Sequence, residues 1–318
     1  MLISLMPSKN TIKSVALISG ATGFVGTHLS RRLVRDGWQV HILCRAESQL
    51  PSAPEFAYVT KHIHDGGMQS MVDCVTQAKP DVVFHLASLA SSQHTANEVD
   101  SLIQSNVLFG NQLLEAMKLN GVNCFINTGT FWQHFNNENY NPVCLYAATK
   151  QAFEAILEYY VQACGIKAIT LELFDTYGPD DPRKKLFHLL NNAAQTKESL
   201  DMTAGEQLID LVHIDDVVAA YLIAAKRLLS DQVLQHECYS VSSGHPLQLR
   251  KLVELFTAVT GRTVQVNWGA KPYRFREVMK PWSRGVRLEG WKPNVELEEG
   301  LKTLLSQPCE QDPLPNIC

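Results

Sequence analysis

No apolar run in this 318-residue chain approaches the ~20 residues that a helix needs to cross a bilayer. The first ten residues, MLISLMPSKN, make no secretory signal, because the lysine stands on the wrong side of the short apolar patch. The eight cysteines, at 44, 74, 124, 144, 164, 238, 309 and 318, form no CxxC pair and have no histidine at ligand spacing. Five of them stand inside apolar runs, where reduced, buried thiols are expected, so the chain reads as cytoplasmic and metal-free. Basic charge is not in excess either: 28 Lys and Arg against 32 Asp and Glu give a net charge of -4. That balance excludes duplex nucleic acid as an expected partner. It does not exclude a bound nucleotide, which needs only a few backbone amides and one or two arginines. Repeats and low-complexity tracts are missing, and 45% hydrophobic with 19% charged residues is too apolar for disorder.

What is present is an alternation. SVALISG (14–20) is a continuous apolar run, as in a strand covered on both faces. A helical pattern follows from about Gly26 to Asp36, then a strand QVHILCR (39–45), a helix over 68–79 and a strand DVVFHLAS (81–88). A helix over 102–120, a strand NCFINTGT (123–130), a helix from Tyr146 to Cys164 and a strand AITLELF (168–174) complete the series. Such an order predicts an α/β fold with a doubly wound parallel sheet and right-handed crossovers. After Tyr177 the rhythm changes. Helices are expected around 186–196, 215–229 and 247–259 with short strands between them. We therefore expect one domain over 1–177, rejoined by 208–229, and a smaller lobe built mainly from 178–318 over the carboxyl edge of the sheet. The Pro-rich tail SQPCEQDPLPNIC is expected to be loosely attached.

The first strand and helix are joined by GATGFVG, with Gly20, Gly23 and Gly26 spaced GxxGxxG around Thr22, Phe24 and Val25. Glycines here permit a tight turn, let backbone approach a pyrophosphate and let the helix pack close to the sheet. The helix N-terminus then offers unpaired amides and a positive dipole end to phosphate. The alternative is a merely structural turn, but the position directly after a buried strand favours a dinucleotide. The second strand ends in Cys44 and Arg45, where an NAD site would carry an acid for the ribose 2′-hydroxyl. Arg45, with Arg31 or Arg32 beside it, suits a 2′-phosphate, so NADP(H) is favoured over NAD(H).

Tyr146 and Lys150 lie four residues apart and share a helix face that continues as Phe153, Leu157, Tyr160, Val161 and Cys164. A phenol has a reference pKa of ~10, and a neighbouring ammonium is expected to lower it toward the working range. Read with GATGFVG, DVVFHLAS, YAATK, LFDTYGP, LVHIDDV and GWKPNVELEEGL, the pair resembles the extended short-chain dehydrogenases/reductases that act on nucleotide sugars, over nearly the whole chain.

The resemblance implies a Rossmann-type cofactor domain and a nucleotide-sugar-binding lobe. It also implies Tyr146 as proton donor, Lys150 on the nicotinamide ribose, and a strand-end threonine to polarise the substrate oxygen. Counting back from Trp132 puts Thr128 in that place, with Thr130 in reserve or on the substrate. Asp65, His85, Leu86, Ala87 and Asn106 resemble positions near the cofactor, although His85 also suits a core histidine. Relatives that dehydrate nucleotide hexoses carry Thr-Asp-Glu where this chain has Thr128, Gly129 and Thr130, so a 4,6-dehydratase is disfavoured. FINTGTFWQHF and LFDTYGPDDPRKKL resemble the 4-ketoreductases of the CDP-abequose and CDP-paratose synthase type, a subgroup in which Asp175 also replaces the usual asparagine. Arg183 and Arg274 are the candidates for gripping a nucleotide diphosphate. An epimerase with bound NAD is the alternative reaction, and a non-catalytic NADP sensor is disfavoured by the intact Tyr–Lys pair. A homodimer is expected, because relatives pair through the tyrosine-bearing helix.

Overall fold

Val15–Ser19 (β1) is buried along nearly its whole length in the computed structural model, which describes residues 14–304. Helix α1 (Phe24–Arg35), β2 (Gln39–Cys44), β3 (Val59–Ile63), α2 (Met68–Ala78) and β4 (Val82–His85) follow. Next come α3 (Val99–Ile103) and α4 (Phe109–Leu119), joined by a π-helical turn over Gln104–Leu108, then β5 (Cys124–Thr130), α5 (Leu145–Cys164) and β6 (Lys167–Leu173). The remainder comprises β7 (Asp175–Tyr177), α6 (Leu186–Thr196), β8 (Leu200–Met202), β9 (Leu208–Ile209), β10 (Leu211–His213), α7 (Ile214–Leu229), β11 (His236–Val241), β12 (Leu247–Gln248), α8 (Leu249–Thr260), β13 (Val266–Trp268) and α9 (Leu297–Thr303). The N-terminal patch and the Pro-rich tail lie outside the described residues.

The main sheet has seven strands in the order β11-β6-β5-β4-β1-β2-β3. Every pairing in it is parallel. The order runs one way from β1 through β3 and the other way from β4 through β11. The switch point therefore falls between β1 and β4, and the crevice outside their carboxyl ends is where such sheets bind ligands. One face is covered by α1 and α7, through Leu29, Leu33, Val217, Tyr221 and Ala224. The other is covered by α2, α4 and α5, through Met71, Leu113, Phe153 and Leu157. Burying each of the leucine, valine, methionine and phenylalanine side chains stabilises the fold by about 1.5–3 kcal/mol. A third cluster, with Tyr177, Leu190, Leu252, Phe256 and Leu301, lies among the elements that follow β6.

The predicted α/β, doubly wound class is what the structure shows. One detail differs from the reading of the sequence. Strand β3, which the alternation did not show, forms the far edge of the sheet. In the segment 208–229 it is α7 that meets the sheet, packing on β5 and β6, while β9 pairs with β12 and β10 with β7. The late strand that extends the main sheet is β11.

Candidate active site

The glycine turn sits at the switch point, and its three glycines serve different ends. Gly20 has φ +75°, and a Cβ there would lie 2.5 Å from the Ala87 nitrogen. The turn therefore packs edge-on against Leu86 and Ala87 at the end of β4. A Cβ on Gly26 would lie 2.1 Å from the Gly20 carbonyl oxygen, so α1 can leave the turn this closely only without one. Gly23 is the N-cap of α1 and carries no side-chain cap. A Cβ there would meet nothing closer than the Gly20 oxygen at 3.4 Å. The protein's own packing therefore does not require Gly23, and its bare backbone leaves room for a ligand at the first amides of α1, at Phe24, Val25 and Gly26.

Tyr146 and Lys150 stand in the first turns of α5, on the opposite side of the crevice. Lys150 is buried, 2% exposed, and burial lowers its ammonium to about 8 while Glu154 pulls it back up. Tyr146 is half-buried by surface area, yet its oxygen is crowded enough that desolvation dominates and pushes the phenol up to about 12. Cys144 adds to the rise, and hydrogen bonds with Ser88 and Thr130 oppose it. The expected lowering of Tyr146 by Lys150 is thus corrected: burial decides the direction, and the phenol is held protonated. Trp132 stands edge-on to the Tyr146 ring at 6.4 Å.

The two candidate threonines have different partners. Thr128 Oγ1 donates to the His85 carbonyl at 2.8 Å and lies 2.7 Å from the hydroxyl of fully buried Tyr221. Thr130 is the one whose hydroxyl reaches the phenol. β4 ends at His85, opposite Asn127, so both threonines stand past its end, Thr128 partly exposed and Thr130 buried. Ser88, not singled out from the sequence, is the phenol's other partner; its place in DVVFHLAS, just past a strand end, was the available signal.

Asn106 lies in the π turn, 1% exposed, with its amide fully occupied. Its Oδ1 accepts from the Leu89 nitrogen at 2.7 Å and Ser88 Oγ at 3.1 Å, and its Nδ2 donates to the Leu89 carbonyl and Thr149 Oγ1, each at 2.9 Å. It pins the loop after β4 to α5 and so fixes Ser88 against Tyr146. His85 is a core residue, 1% exposed, with Nδ1 2.8 Å from Ser19 Oγ and its ring held near pKa 3 by burial and by Lys150.

Beyond β6 the structure gathers the cations expected from the sequence. Asp175 faces Lys185, Arg183 and Arg274, and burial raises its carboxyl against their pull. Arg183 is braced by Asp181 at 2.6 and 2.7 Å and by the Thr176 carbonyl at 2.9 Å, with its guanidinium 4.5 Å from the centre of the Phe24 ring. Arg274 pairs with Glu277 at 2.9 Å and lies 5.7 Å over Trp132. Trp268 and Trp282 pack within the protein, against Arg250 and His134. At the other end, Arg45 is exposed beyond β2 and paired with Glu47 at 3.1 Å, while Arg31 and Arg32 are paired with Glu55 and Asp36. Asp65 lies just past β3, exposed, accepting from the Gly67 amide at 2.8 Å. No group of three or more His, Cys, Asp or Glu among the described residues is placed to hold a metal ion.

An uncapped helix start, an unfilled Cβ position at Gly23 and a half-buried tyrosine beside a buried lysine together fit a nicotinamide dinucleotide. The family profile described as "NAD dependent epimerase/dehydratase family" matches residues 16–235. The chain belongs to this family. It is an NAD(P)-dependent oxidoreductase of the extended type that the sequence resembled. The chain is 27% identical over 295 residues to CDP-abequose synthase of Salmonella muenchen, across 91% of this chain and 96% of that one. It is 24% identical to a probable UDP-glucuronate 4-epimerase of Rhizobium meliloti, across 90% and 94% of the two chains. Among solved structures, the UDP-glucose 4-epimerase of Thermotoga maritima with UDP-glucose superposes with a TM-score of 0.79 at 24% identity, covering 91% of this chain and 97% of that one.

Proposed function

We propose that this protein reduces the C4 ketone of a nucleotide-linked 6-deoxy or 3,6-dideoxy 4-ketohexose, with NADPH as reductant. The observation that carries this reading is the placing of the Tyr146 phenol beside Ser88 and Thr130, one helical turn before the buried Lys150. A protonated phenol is an acid in its resting form and suits delivery of a proton to a forming alkoxide. Removal of a hydroxyl proton, with which an epimerase begins, needs the phenolate instead.

When bound along the glycine turn, the dinucleotide supplies the electrons and one hydrogen that reduce the ketone carbon. The chain's own residues do the rest. The amides after Gly23 hold the pyrophosphate, and Arg45, exchanging Glu47 for a 2′-phosphate, selects NADPH. Tyr146 donates its proton to the carbonyl oxygen, Thr130 and Ser88 hold the phenol oxygen in place, and Lys150 keeps positive charge beside the phenol. Arg183 and Arg274 face the diphosphate of the sugar nucleotide, near Asp175. Similarity to CDP-abequose synthase over nine-tenths of the chain supports a nucleotide-sugar substrate.

The proposal includes a cytoplasmic, homodimeric enzyme. In support, no described helix is long and apolar enough to cross a membrane. Purified protein mixed with NADPH and a panel of CDP-, dTDP-, GDP- and UDP-4-keto-6-deoxyhexoses is expected to consume NADPH stoichiometrically with at least one of them. Interconversion of sugar isomers without net oxidation of the cofactor would instead establish an epimerase.

A further inference from the structure

Phe24, His28 and Arg31 stand four and three residues apart on α1 and so share one face of that helix. All three meet the loop that follows β7, far along the chain. His28 Nε2 lies 3.0 Å from the Pro179 carbonyl oxygen. That oxygen can only accept, so the imidazole carries its hydrogen on Nε2. Arg31 Nη1 donates to Asp180 Oδ2 at 3.3 Å. The Phe24 ring stands edge-on to the His28 ring at 5.2 Å and has the Arg183 guanidinium 4.5 Å from its centre. The three ties are not equal. Asp180 is 61% exposed, and an ion pair so open to water adds little. The part-buried bond from His28 is the stronger one.

The loop needs an outside anchor. Asp180 takes φ +59°, a left-handed conformation that an L-residue adopts at a cost. Arg183, for its part, is held mainly by its own neighbours, through Asp181 and the Thr176 carbonyl. The path of the backbone from 179 to 183 therefore decides where the guanidinium stands, and α1 fixes that path. We propose that His28 is a positioning residue for Arg183: with Phe24 and Arg31 it fastens the 179–183 segment to the helix whose first amides face the dinucleotide. A loop fastened beforehand loses less conformational freedom when a ligand binds against it. Releasing it should weaken the ligand of Arg183 and spare the dinucleotide, whose amides belong to the helix itself.

That role rests on Arg183 facing the diphosphate of a sugar nucleotide, so one arm of the test needs no ligand. Hydrogen exchange of the full chain is read over residues 178–186, where the Arg183 amide donates to Asp181 Oδ1 at 3.0 Å and the Lys185 amide to the Arg183 carbonyl at 2.7 Å. His28→Leu and His28→Asn should speed exchange there. His28→Gln, whose amide N–H reaches where Nε2 stands, should not. In the second arm, calorimetry measures the affinities of CDP, UDP, dTDP and GDP. A diphosphate that binds the wild type should bind His28→Leu about threefold to tenfold more weakly, as loss of one hydrogen bond implies. NADPH affinity, read by nucleotide fluorescence, should stay unchanged. In an Arg183→Met background, His28→Leu should cause no further loss, because the two residues act as one unit. His28→Asn, polar at a half-buried position, keeps the test open if His28→Leu folds poorly.

Unchanged exchange in both variants would overturn the proposal. So would losses of diphosphate affinity that simply add between His28→Leu and Arg183→Met, or a His28→Gln protein as impaired as His28→Leu. A wild type that binds none of the four diphosphates, with exchange responding as stated, keeps His28 as the tie on the loop and removes the nucleotide-sugar reading instead.

Discussion

Gly20 and Gly23 differ by three positions, and the same substitution should read out differently at each. Gly20→Ala places an L-residue at φ +75° and its Cβ 2.5 Å from the Ala87 backbone. The left-handed conformation alone costs about 1–2 kcal/mol before the clash is counted, so a clear loss of melting temperature is expected. Gly23→Ala finds ordinary contact distance inside the protein and should leave the melting temperature nearly unchanged, while weakening dinucleotide affinity by about tenfold, or ~1.4 kcal/mol. Equal destabilisation by both would mean that Gly23 serves the fold rather than a ligand. Tyr146 gives a second test at this scale. Tyr146→Phe should lower kcat by about 10²–10⁴-fold with the cofactor still bound. With the phenol near 12 and Lys150 near 8, ketone reduction should hold steady through neutral pH and decline as pH rises through about 8, when Lys150 loses its proton. A rate that climbs across that range would show the phenolate, not the phenol, to be the working form.

Among the elements, α7 shows how the late segments are tied to the sheet. Its N-cap is His213, whose Nδ1 accepts from the Asp215 amide at 3.2 Å. Asp216 instead clamps the segment before α9. Its carboxylate accepts from the Asn294 and Val295 amides at 3.0 Å each, and its carbonyl accepts from Trp291 Nε1 at 2.8 Å. Bonds to a buried charge are worth about 1.5–3 kcal/mol. Asp216→Ala should therefore lower the melting temperature and shift the emission of buried Trp291, with dinucleotide affinity little changed; an unaltered melting curve would refute the clamp. The strands and helices that alternate up to β6 were legible because burial on two faces writes long apolar runs. Strand β3 was not, since VTKHI lies at an edge with Thr60 and Lys61 exposed and only His62 buried. The glycine turn and the Tyr–Lys pair were legible because each is a local spacing. Ser88 beside Tyr146 and the bond from Thr128 to the His85 carbonyl depend on register between strands and on where β4 stops, which no local spacing records.

For the molecule as a whole, the arrangement of α5 bears on assembly. Its inward face buries Phe153, Leu157 and Val161 against the sheet, but its outward face is not polar in the way a solvated helix usually is. Ala152, Ala155 and Tyr159 are exposed there, at helical spacing with half-buried Ala148. Ile103 and Leu108, at the start of the α3–α4 arm packed beside α5, are 43% and 47% exposed, and Tyr159 is 59% exposed. Single exposed apolar residues need no explanation, but a stripe of small residues flanked by large ones lets two helices approach closely. The occupant we favour is a second copy of this chain, because the same stripe on each protomer is self-complementary about a two-fold axis. Ala155→Glu with Tyr159→Glu would set carboxylates of the two copies against one another. Sedimentation or light scattering should then show a dimer for the parent chain and a monomer for the double variant. The switch-point crevice lies at the carboxyl ends of the strands, not on this face, so the monomer should keep dinucleotide affinity. A parent chain that runs as a monomer at every concentration would remove this interface, and with it the homodimer from the proposed function.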